Sequence, residues 1–202
     1  MLILRIILTA VIAYCLGGVN GAILVSKLFH HEDVRTHGSG NAGLTNFFRT
    51  YGGPLTLLVI AVDMCKTILA CFVGKWLLGT DAGMMLGGLC ATLGHEFPVF
   101  YGFRGGKGIL CGVSAAFALD WRIALILIVF FAVIVGISKY VSLGSVLSAM
   151  LYPLLFLFFF WGDWRTVILS AILAVTTIIL HRGNIQRLRD GTERKLSFRK
   201  KE

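Results

Sequence analysis

Long apolar runs recur from one end of the chain to the other, and they restrict the fold more than any other feature. Seven runs carry few charges, and they cover residues 3–24, 55–78, 83–101, 109–119, 123–137, 143–161 and 167–180. A helix needs about 20 apolar residues to cross the hydrocarbon core of a bilayer. The composition agrees, because 57% of the residues are hydrophobic and only 14% are charged. We predict an all-α, polytopic integral membrane helical bundle that forms a single domain over residues 1–202.

The number of crossings depends on the short run at 109–119. Its 11 residues reach through roughly half of the hydrocarbon core, so it is either a half-span or a full crossing beside a loop that dips into the membrane. Seven crossings with the N-terminus outside leave only Lys75, Arg122 and Arg165 in the outside loops. The cations then left inside are Lys27, Arg35, Arg49, Arg104, Lys107, Lys139, Arg182, Arg187, Arg189, Arg194, Lys195, Arg199, Lys200 and Lys201. The positive-inside rule therefore predicts seven transmembrane helices with a cytoplasmic C-terminus.

The net charge of +9 is concentrated in those loops and in the tail. Positive charge at such positions orients a membrane protein and meets anionic lipid or a phosphate substrate, so we predict no nucleic-acid partner. From Ile185 onward, the basic stretch is interpreted either as an interfacial helix on anionic lipid or as a solvated tail. The five cysteines include no Cys-x-x-Cys pair, which indicates buried reduced thiols rather than disulfides or a metal site.

The first polar segment, residues 33–49, is rich in glycine and in hydrogen-bond donors. The glycines, which allow a ligand to approach the backbone closely, are Gly38, Gly40 and Gly43. The hydroxyl and amide side chains are Ser39, Asn41, Thr45 and Asn46. An ordinary glycine turn is the alternative, but Arg35 and Arg49 add guanidinium groups suited to phosphate. The segment is therefore predicted to bind an anion.

The second polar segment, residues 102–108, lies directly before the short apolar run. Its glycines next to the lysine are Gly105, Gly106 and Gly108. Exposed backbone N–H groups and the dipole of the following helix can hold an anion, and Lys107 adds a full charge. The segment is not a Walker A loop, because Tyr101 and Gly108 stand where that pattern needs glycine and Ser or Thr. Lys107 could instead be a positive-inside anchor, but the surrounding glycines favour an anion site.

The third polar segment, residues 181–193, follows the last apolar run. His181 can act as a base near neutral pH or donate to phosphate, although a histidine at this place is also a common helix cap. Within the apolar runs, Asp63 and Lys66 are three residues apart and are interpreted as an ion pair that fixes helix packing. His95 is interpreted as a structural residue without a visible partner.

Together these segments resemble the acyl-phosphate-dependent glycerol-3-phosphate acyltransferases of bacterial phospholipid synthesis, along nearly the whole chain. The strings that carry the resemblance are Asp33-Val-Arg, Gly38-Ser-Gly-Asn-Ala-Gly-Leu-Thr-Asn46, Gly94-His-Glu-Phe-Pro-Val-Phe-Tyr-Gly-Phe-Arg-Gly-Gly-Lys-Gly108, Tyr140-Val-Ser-Leu-Gly-Ser145, His181-Arg-Gly-Asn-Ile-Gln-Arg-Leu188 and Gly191-Thr-Glu193. The string that ends at Gly108 is highly specific to that family.

The resemblance implies a seven-helix enzyme that transfers a fatty acyl group from acyl phosphate to the 1-hydroxyl of glycerol 3-phosphate. The products would be 1-acylglycerol 3-phosphate (lysophosphatidate) and phosphate, with no metal, no cofactor and no acyl-CoA or acyl carrier protein as direct donor. The resemblance also implies a place in the bacterial cytoplasmic membrane with the active site facing the cytoplasm. The resemblance further implies the lipid bilayer as a partner and functional coupling to an enzyme that produces acyl phosphate.

The resemblance also assigns roles to residues. The residues that would hold glycerol 3-phosphate for catalysis are Ser39, Arg49, Lys107, His181 and Asn184. The residues that would bind the phosphate of the acyl donor are Gly105, Gly106, Gly108, Asn46, Ser142 and Ser145. The first segment contributes further phosphate-binding positions at Gly38, Gly40, Asn41 and Thr45. Either His181 or the acyl phosphate's own oxygens would take the proton of the hydroxyl group.

Two departures from the family pattern concern packing and phosphate contact. Asn20 stands where the family often has proline in the string Gly-Ser-x-Pro, and Leu180 stands where an arginine usually precedes the histidine.

Two other functions fit the same residues. One is a small transporter of a phosphorylated metabolite, because basic pockets and glycine-broken helices suit transport as well. The other is an inactive relative that acts as an assembly partner in lipid synthesis.

Overall fold

The computed structural model describes residues 1–196, which contain helices and turns and no strand. The α-helices are α1 Leu2–Gly18, α2 Gly21–Val25, α3 Leu44–Thr50, α4 Leu55–Leu78, α5 Asp81–Glu96, α6 Ile109–Leu119, α7 Trp121–Ser138, α8 Val141–Phe159, α9 Trp164–Leu180 and α10 Arg182–Arg189. A π-helical turn covers Ser26–His30, and 3₁₀ turns cover Val34–Thr36 and Val99–Tyr101. The predicted all-α class is confirmed. The tail cations Arg199, Lys200 and Lys201 lie outside the described residues.

Four helical stretches within residues 1–196 are long and apolar enough to cross a bilayer, and they are Leu2–His30, Leu55–Leu78, Trp121–Ser138 and Val141–Phe159. Helices α9 and α10 meet at a bend of 55°. They provide a fifth candidate span if the pair is counted as one broken membrane-spanning helix. Helix α5 has 16 residues and α6 has 11, which is short of the roughly 20 that a full crossing needs. The seven crossings and the orientation of the termini therefore stay predictions.

Two predicted runs extend well beyond the first helix that each contains, and local chemistry explains both. The run at 3–24 breaks at Asn20, whose side-chain oxygen accepts a hydrogen bond of 3.0 Å from the Ile23 amide and so caps α2. The run predicted at 83–101 is helical only as far as Glu96. Its continuation as a helix was wrong, because Pro98 disfavours helical backbone at the residue before it. The predicted bounds of α4 and α6 are confirmed.

Helices α1, α4 and α5 approach one another closely through glycines. A β-carbon at Gly17 would lie 2.0 Å from the carbonyl oxygen of Ala91, and one at Gly94 would lie 2.1 Å from that of Tyr14. The hydrophobic effect does not drive helices together in lipid. Small residues instead let the backbones approach closely, and the resulting van der Waals contacts favour association. The α5–α9 region packs around larger side chains, including Met85, Leu127, Tyr152, Phe156 and Leu173.

The outer surface and the two ends of the bundle have different chemistry. Large apolar side chains such as Phe158 and Ile137 are exposed, which suits contact with lipid. The tryptophans Trp76, Trp121, Trp161 and Trp164 stand at the end of the bundle where α4 ends, α7 begins and α8 connects to α9. Tryptophan is typical of membrane–water interfaces. The three polar segments lie at the opposite end.

We expect Gly17→Val to destabilise the bundle by about 1–3 kcal/mol, because the new side chain would overlap the backbone of Ala91. The measurement is the unfolding midpoint of the purified protein in detergent. Gly136→Ala in α7 is the matched control, because no atom lies within 4 Å of its added methyl group. This change should be neutral or slightly stabilising. Equal losses for both variants would contradict the close packing of α1 on α5.

Candidate active site

The first two polar segments are joined by direct hydrogen bonds at one end of the bundle. The Ala42 amide donates to the Gly105 carbonyl oxygen at 3.3 Å. The Arg35 guanidinium donates to the carbonyl oxygens of Tyr101 at 2.7 Å and Arg104 at 3.0 Å. Asp33, which lies 2.8 Å from the same guanidinium, holds it in place. The two segments therefore form one surface.

Asn46 shapes the first segment from inside. Its side-chain oxygen accepts from the Ser39 amide at 2.8 Å, and its amide nitrogen donates to the carbonyls of Val34 and His37 at 3.0 and 3.1 Å. Gly38 has a φ of +62°, and a β-carbon there would lie 2.3 Å from the Asn46 oxygen. Asn46 is buried, so it works as the internal support of the segment. The remaining predicted residues of this segment are Gly40 and Ser39, which are exposed, and Asn41 and Thr45, which are half-buried.

The second segment folds back onto the end of α5. The Gly105 amide donates to the Glu96 carbonyl at 3.1 Å, and the Gly106 amide donates to the His95 carbonyl at 3.0 Å. The prediction that loop amides are free for an anion is therefore wrong for Gly105 and Gly106, because those amides satisfy the last carbonyls of α5. Gly108, with a φ of +78°, turns the chain into α6. The start of α6 and Lys107 remain as the positive features of this loop.

The third segment meets the other two through Lys107. The Lys107 ammonium donates to the side-chain oxygen of Asn184. The Asn184 amide donates to Glu193 at 2.7 Å, and Arg187 donates to the other oxygen of the same carboxylate at 2.7 Å. Arg49 of the first segment donates to the Arg194 carbonyl at 3.4 Å. All three polar segments thus converge on one cluster, which we call the cation cluster: Arg49, Lys107, Asn184, Arg187 and Glu193.

His181 and the two serines lie at the base of this cluster. His181 is buried, and its Nδ1 lies 2.8 Å from the Thr177 carbonyl oxygen, so Nδ1–H donates there and Nε2 is left as an acceptor. Ser142 and Ser145 are buried in the first turn and a half of α8. The Ser145 hydroxyl donates to the Val141 carbonyl at 2.9 Å within its own helix. The Ser142 hydroxyl is instead buried near Glu193 and has no hydrogen-bond partner among the described residues.

The cation cluster carries more positive than negative charge. Burial, with the charges of Arg187 and Arg49 nearby, lowers the pKa of Lys107 to about 8. Burial also lowers the pKa of Arg49. Desolvation raises the pKa of Glu193, but hydrogen bonds from Asn184 and Arg187 and the charge of Arg187 hold it below its ordinary value. Three cations lie near this one carboxylate, and Arg187 pairs with it directly. An anion of about two charges would therefore balance the charge of the cluster.

Two features of this region were not predicted from the sequence. The Asp63–Lys66 pair is confirmed at 2.7 Å, but the interpretation of His95 as a residue without a partner was wrong. His95 Nδ1 lies 3.0 Å from the Lys66 ammonium and 3.3 Å from the Asn20 amide nitrogen. The available signal was the presence of ionisable residues inside apolar runs. Glu193 was missed because nothing in its basic, loop-forming surroundings distinguishes it from a solvated carboxylate.

A helical bundle with an apolar surface and a cation-rich cluster at one end defines an integral membrane protein that handles a phosphate-bearing substrate. The family model described as glycerol-3-phosphate acyltransferase matches residues 7–191. The chain belongs to that family, as an integral membrane acyltransferase of glycerol 3-phosphate in phospholipid synthesis.

Relatives and solved structures agree with this membership. A glycerol-3-phosphate acyltransferase of Thermoanaerobacter sp. (strain X514) is 40% identical over 190 residues, which cover 94% of this chain and 95% of the relative. The enzyme of the same name from Clostridioides difficile (strain 630) is 36% identical and covers 99% of this chain and 100% of its own length. The crystal structure of the integral membrane enzyme PlsY in its glycerol 3-phosphate form has a TM-score of 0.87 and 31% identity, with 95% of this chain and 96% of that chain covered.

We expect Glu193→Ala to loosen the third segment, because it removes the acceptor of both Asn184 and Arg187. Each lost bond to a charged group is worth about 1.5–3 kcal/mol, so trypsin should cleave between Arg187 and Lys195 about tenfold faster or more. Asp190→Ala is the control, because that exposed carboxylate accepts from Gln186 and lies outside the cation cluster. If trypsin cuts Glu193→Ala no faster than it cuts the control variant, Glu193 does not hold the segment.

Proposed function

We propose that the protein transfers a fatty acyl group from acyl phosphate to the sn-1 hydroxyl of glycerol 3-phosphate. The products are 1-acylglycerol 3-phosphate and phosphate, in the first acylation step of phospholipid synthesis. The observation that carries the proposal is the cation cluster at the polar end of an apolar bundle. In it Arg49, Lys107 and Arg187 lie near one carboxylate, that of Glu193, and Arg187 pairs with it directly. Both proposed substrates bear phosphate, and one also bears a tail that suits the lipid-facing bundle.

The glycerol 3-phosphate would bind where the three polar segments meet. Its proposed contacts are Ser39, Arg49, Lys107, His181 and Asn184. Arg49, Lys107 and Asn184 already belong to the cation cluster, and Ser39 is exposed on the adjoining surface. The bound phosphate would replace Asn184 as the partner of Lys107, which strengthens the contact because both groups are charged.

The acyl phosphate would bind on the other side of Lys107, along the loop that begins α6. Its proposed contacts are Gly108, Asn46, Ser142 and Ser145, with Gly38, Gly40, Asn41 and Thr45 as further phosphate-binding positions of the first segment. Gly105 and Gly106 would line this site without donating to the phosphate, because their amides already bond to the end of α5. Ser142 is supported by its position beside Glu193, whereas Asn46 would act mainly through the shape of its own loop. Lys107 lies between the two sites and would stabilise charge on the reacting carbonyl or on the leaving phosphate.

In the proposed step, the hydroxyl oxygen attacks the carbonyl carbon and the carbon–oxygen bond to phosphate breaks. The hydroxyl proton passes either to His181 or to an oxygen of the acyl phosphate. His181 supports the first route, because its Nδ1–H is held by the Thr177 carbonyl and its Nε2 remains an acceptor. The protein's larger contribution would be positioning the two phosphates.

The two PlsY crystal structures support the choice of acceptor and product. One is the glycerol 3-phosphate form, and the other, with a TM-score of 0.83 and 30% identity, is the lysophosphatidic acid form. Transport of a phosphorylated metabolite is the weaker reading, because the cation cluster lies at one end of the bundle and not at its midplane.

We further propose seven crossings in the bacterial cytoplasmic membrane, with the N-terminus outside and the cation cluster facing the cytoplasm. The short helices α5 and α6 would complete two crossings because the loop between them folds into the polar end. Several described cations, including Lys27, Arg104 and Lys139, belong to connections at that end, which agrees with the positive-inside rule. A cytoplasmic site would also be accessible to an enzyme on that side of the membrane that produces acyl phosphate.

The purified protein in detergent should release phosphate from palmitoyl phosphate only when glycerol 3-phosphate is present. Palmitoyl-CoA should not replace the donor, and positional analysis should find the acyl chain at sn-1. Lys107→Met, which keeps the length of the side chain and removes its charge, should lower kcat/KM about 10²–10³-fold.

Sealed inverted vesicles should use added glycerol 3-phosphate without detergent. Uptake into liposomes without phosphate release would contradict an acyltransferase, and activity only in right-side-out vesicles would contradict the cytoplasmic site.

The kcat/KM for glycerol 3-phosphate should fall as the pH rises through about 8. The reason is that burial lowers the pKa of Lys107 to about 8, so the free enzyme loses this positive charge within the measured range. Above the pKa, the decline should approach about tenfold per pH unit, as expected for one proton. Lys107→Arg keeps its charge and should show no such decline, although its rate is lower. A wild-type profile that stays flat to pH 9.5 would contradict the role of Lys107.

A further inference from the structure

A buried group of polar side chains lies beneath the loop at 105–108, and the cation cluster does not include it. We call it the interior cluster, and it consists of Asn20, Asp63, Lys66 and His95. Asp63 is only 1% exposed and Lys66 is 7% exposed. Such groups are costly inside a membrane protein unless each finds partners, so the hydrogen bonds of this cluster define its arrangement.

The three N–H groups of Lys66 each have an acceptor. They face Asp63 Oδ1 at 2.7 Å, the Val19 carbonyl oxygen at 2.8 Å and His95 Nδ1 at 3.0 Å. An ammonium group can only donate, so His95 Nδ1 accepts and the proton of the neutral ring lies on Nε2. The interior cluster thereby holds the imidazole at a single position and in a single tautomer.

The imidazole of His95 lies directly against the glycine loop. A β-carbon at Gly106 would be 2.0 Å from His95 Nε2, so the loop backbone rests on the ring with no space for a methyl group. The backbone carbonyl oxygen of His95 accepts a hydrogen bond from the Gly106 amide at 3.0 Å. The next residue along the chain is Lys107, whose ammonium is part of the cation cluster.

Asn20 extends this support to the first polar segment. Its amide nitrogen donates to the Ala42 carbonyl at 3.0 Å and lies 3.3 Å from His95 Nδ1. The Ala42 amide in turn donates to the Gly105 carbonyl at 3.3 Å. The interior cluster therefore contacts both loops that face the proposed substrates, through residues that touch neither substrate.

We propose that His95 is a positioning residue whose ring, held by Asp63, Lys66 and Asn20, supports Gly106 and so determines where the Lys107 ammonium lies. The proposal rests on the proposed role of Lys107 in binding and transfer. An error of about 1 Å in such a group can cost about 100-fold in rate, so the ring would matter to catalysis without contacting a substrate.

A double-mutant cycle between His95 and Gly106 tests the contact. Gly106→Ala should lower kcat/KM by about 100-fold, because its methyl group collides with the ring. His95→Ala should lower it by about 10–100-fold, mainly through kcat. The double variant should be no worse than His95→Ala alone, because the space left by the ring accepts the methyl group. Losses that multiply in the double variant, or normal turnover by His95→Ala, would overturn the proposal.

Hydrogen exchange of the loop amides tests the same contact without enzyme activity. His95→Ala should speed exchange at Gly105 and Gly106 by about tenfold or more, while amides in α8 and α9 keep their wild-type rates. Lys75→Ala is the control, because it breaks an exposed ion pair with Asp81 at the other end of the bundle and should leave the loop unchanged. Unchanged exchange at the loop in His95→Ala would overturn the proposal.

A conservative variant separates positioning from folding. His95→Gln keeps a side-chain oxygen that can accept from Lys66, so it should retain the fold and recover part of the exchange protection and of kcat. If His95→Ala unfolds, this variant decides the question, and wild-type kcat together with wild-type loop exchange would overturn the proposal. If the wild-type protein transfers no acyl group, the proposed function fails, whereas the exchange measurements still decide whether His95 supports the loop.

Discussion

The hydrogen bonds between the glycine loop and the end of α5 are the constraint on which the polar end of the bundle depends. Backbone groups inside a membrane need partners within the protein, because no water reaches them. The amides of Gly105 and Gly106 satisfy the last carbonyls of α5, and the Gly105 carbonyl accepts from Ala42 of the first segment. One short loop therefore ends α5, begins α6 and joins the two segments. The hydrogen bonds of this loop therefore also position Lys107.

The charges at this end form two groups with different roles. In the interior cluster, Asp63 and Lys66 neutralise each other and hold His95. In the cation cluster, positive charge exceeds negative charge. The nearby carboxylate of Glu193 neutralises only part of the positive charge around Lys107. A satisfied cluster contributes rigidity, and an unsatisfied one contributes affinity for an anion. The two clusters meet at Gly106 and Lys107, so the rigid group supports the binding group directly.

Several predictions succeeded because they depend on local or compositional rules. The all-α class and the bounds of α4 and α6 follow from apolar run length, glycine and the flanking polar residues. The extent of α5 was mispredicted, because apolar composition outweighed the local effect of Pro98. Free amides at Gly105 and Gly106 were also mispredicted, since a glycine-rich string does not reveal which carbonyls its amides meet. The partners of His95 were invisible for the same reason: they come from helices far apart in the chain.

The sequence by itself determined the membrane environment, the helical class, the family and the residue types that can bind phosphate. These properties are carried by composition and by strings of neighbouring residues. Only the tertiary structure decided that Asn184 connects Lys107 to Glu193, that Asn46 supports its own loop and that His95 lies under Gly106. Such pairings depend on how helices pack. Packing brings together residues far apart in the chain, such as Lys107 and Asn184 at 77 positions or Arg49 and Arg194 at 145, and no local pattern encodes such contacts.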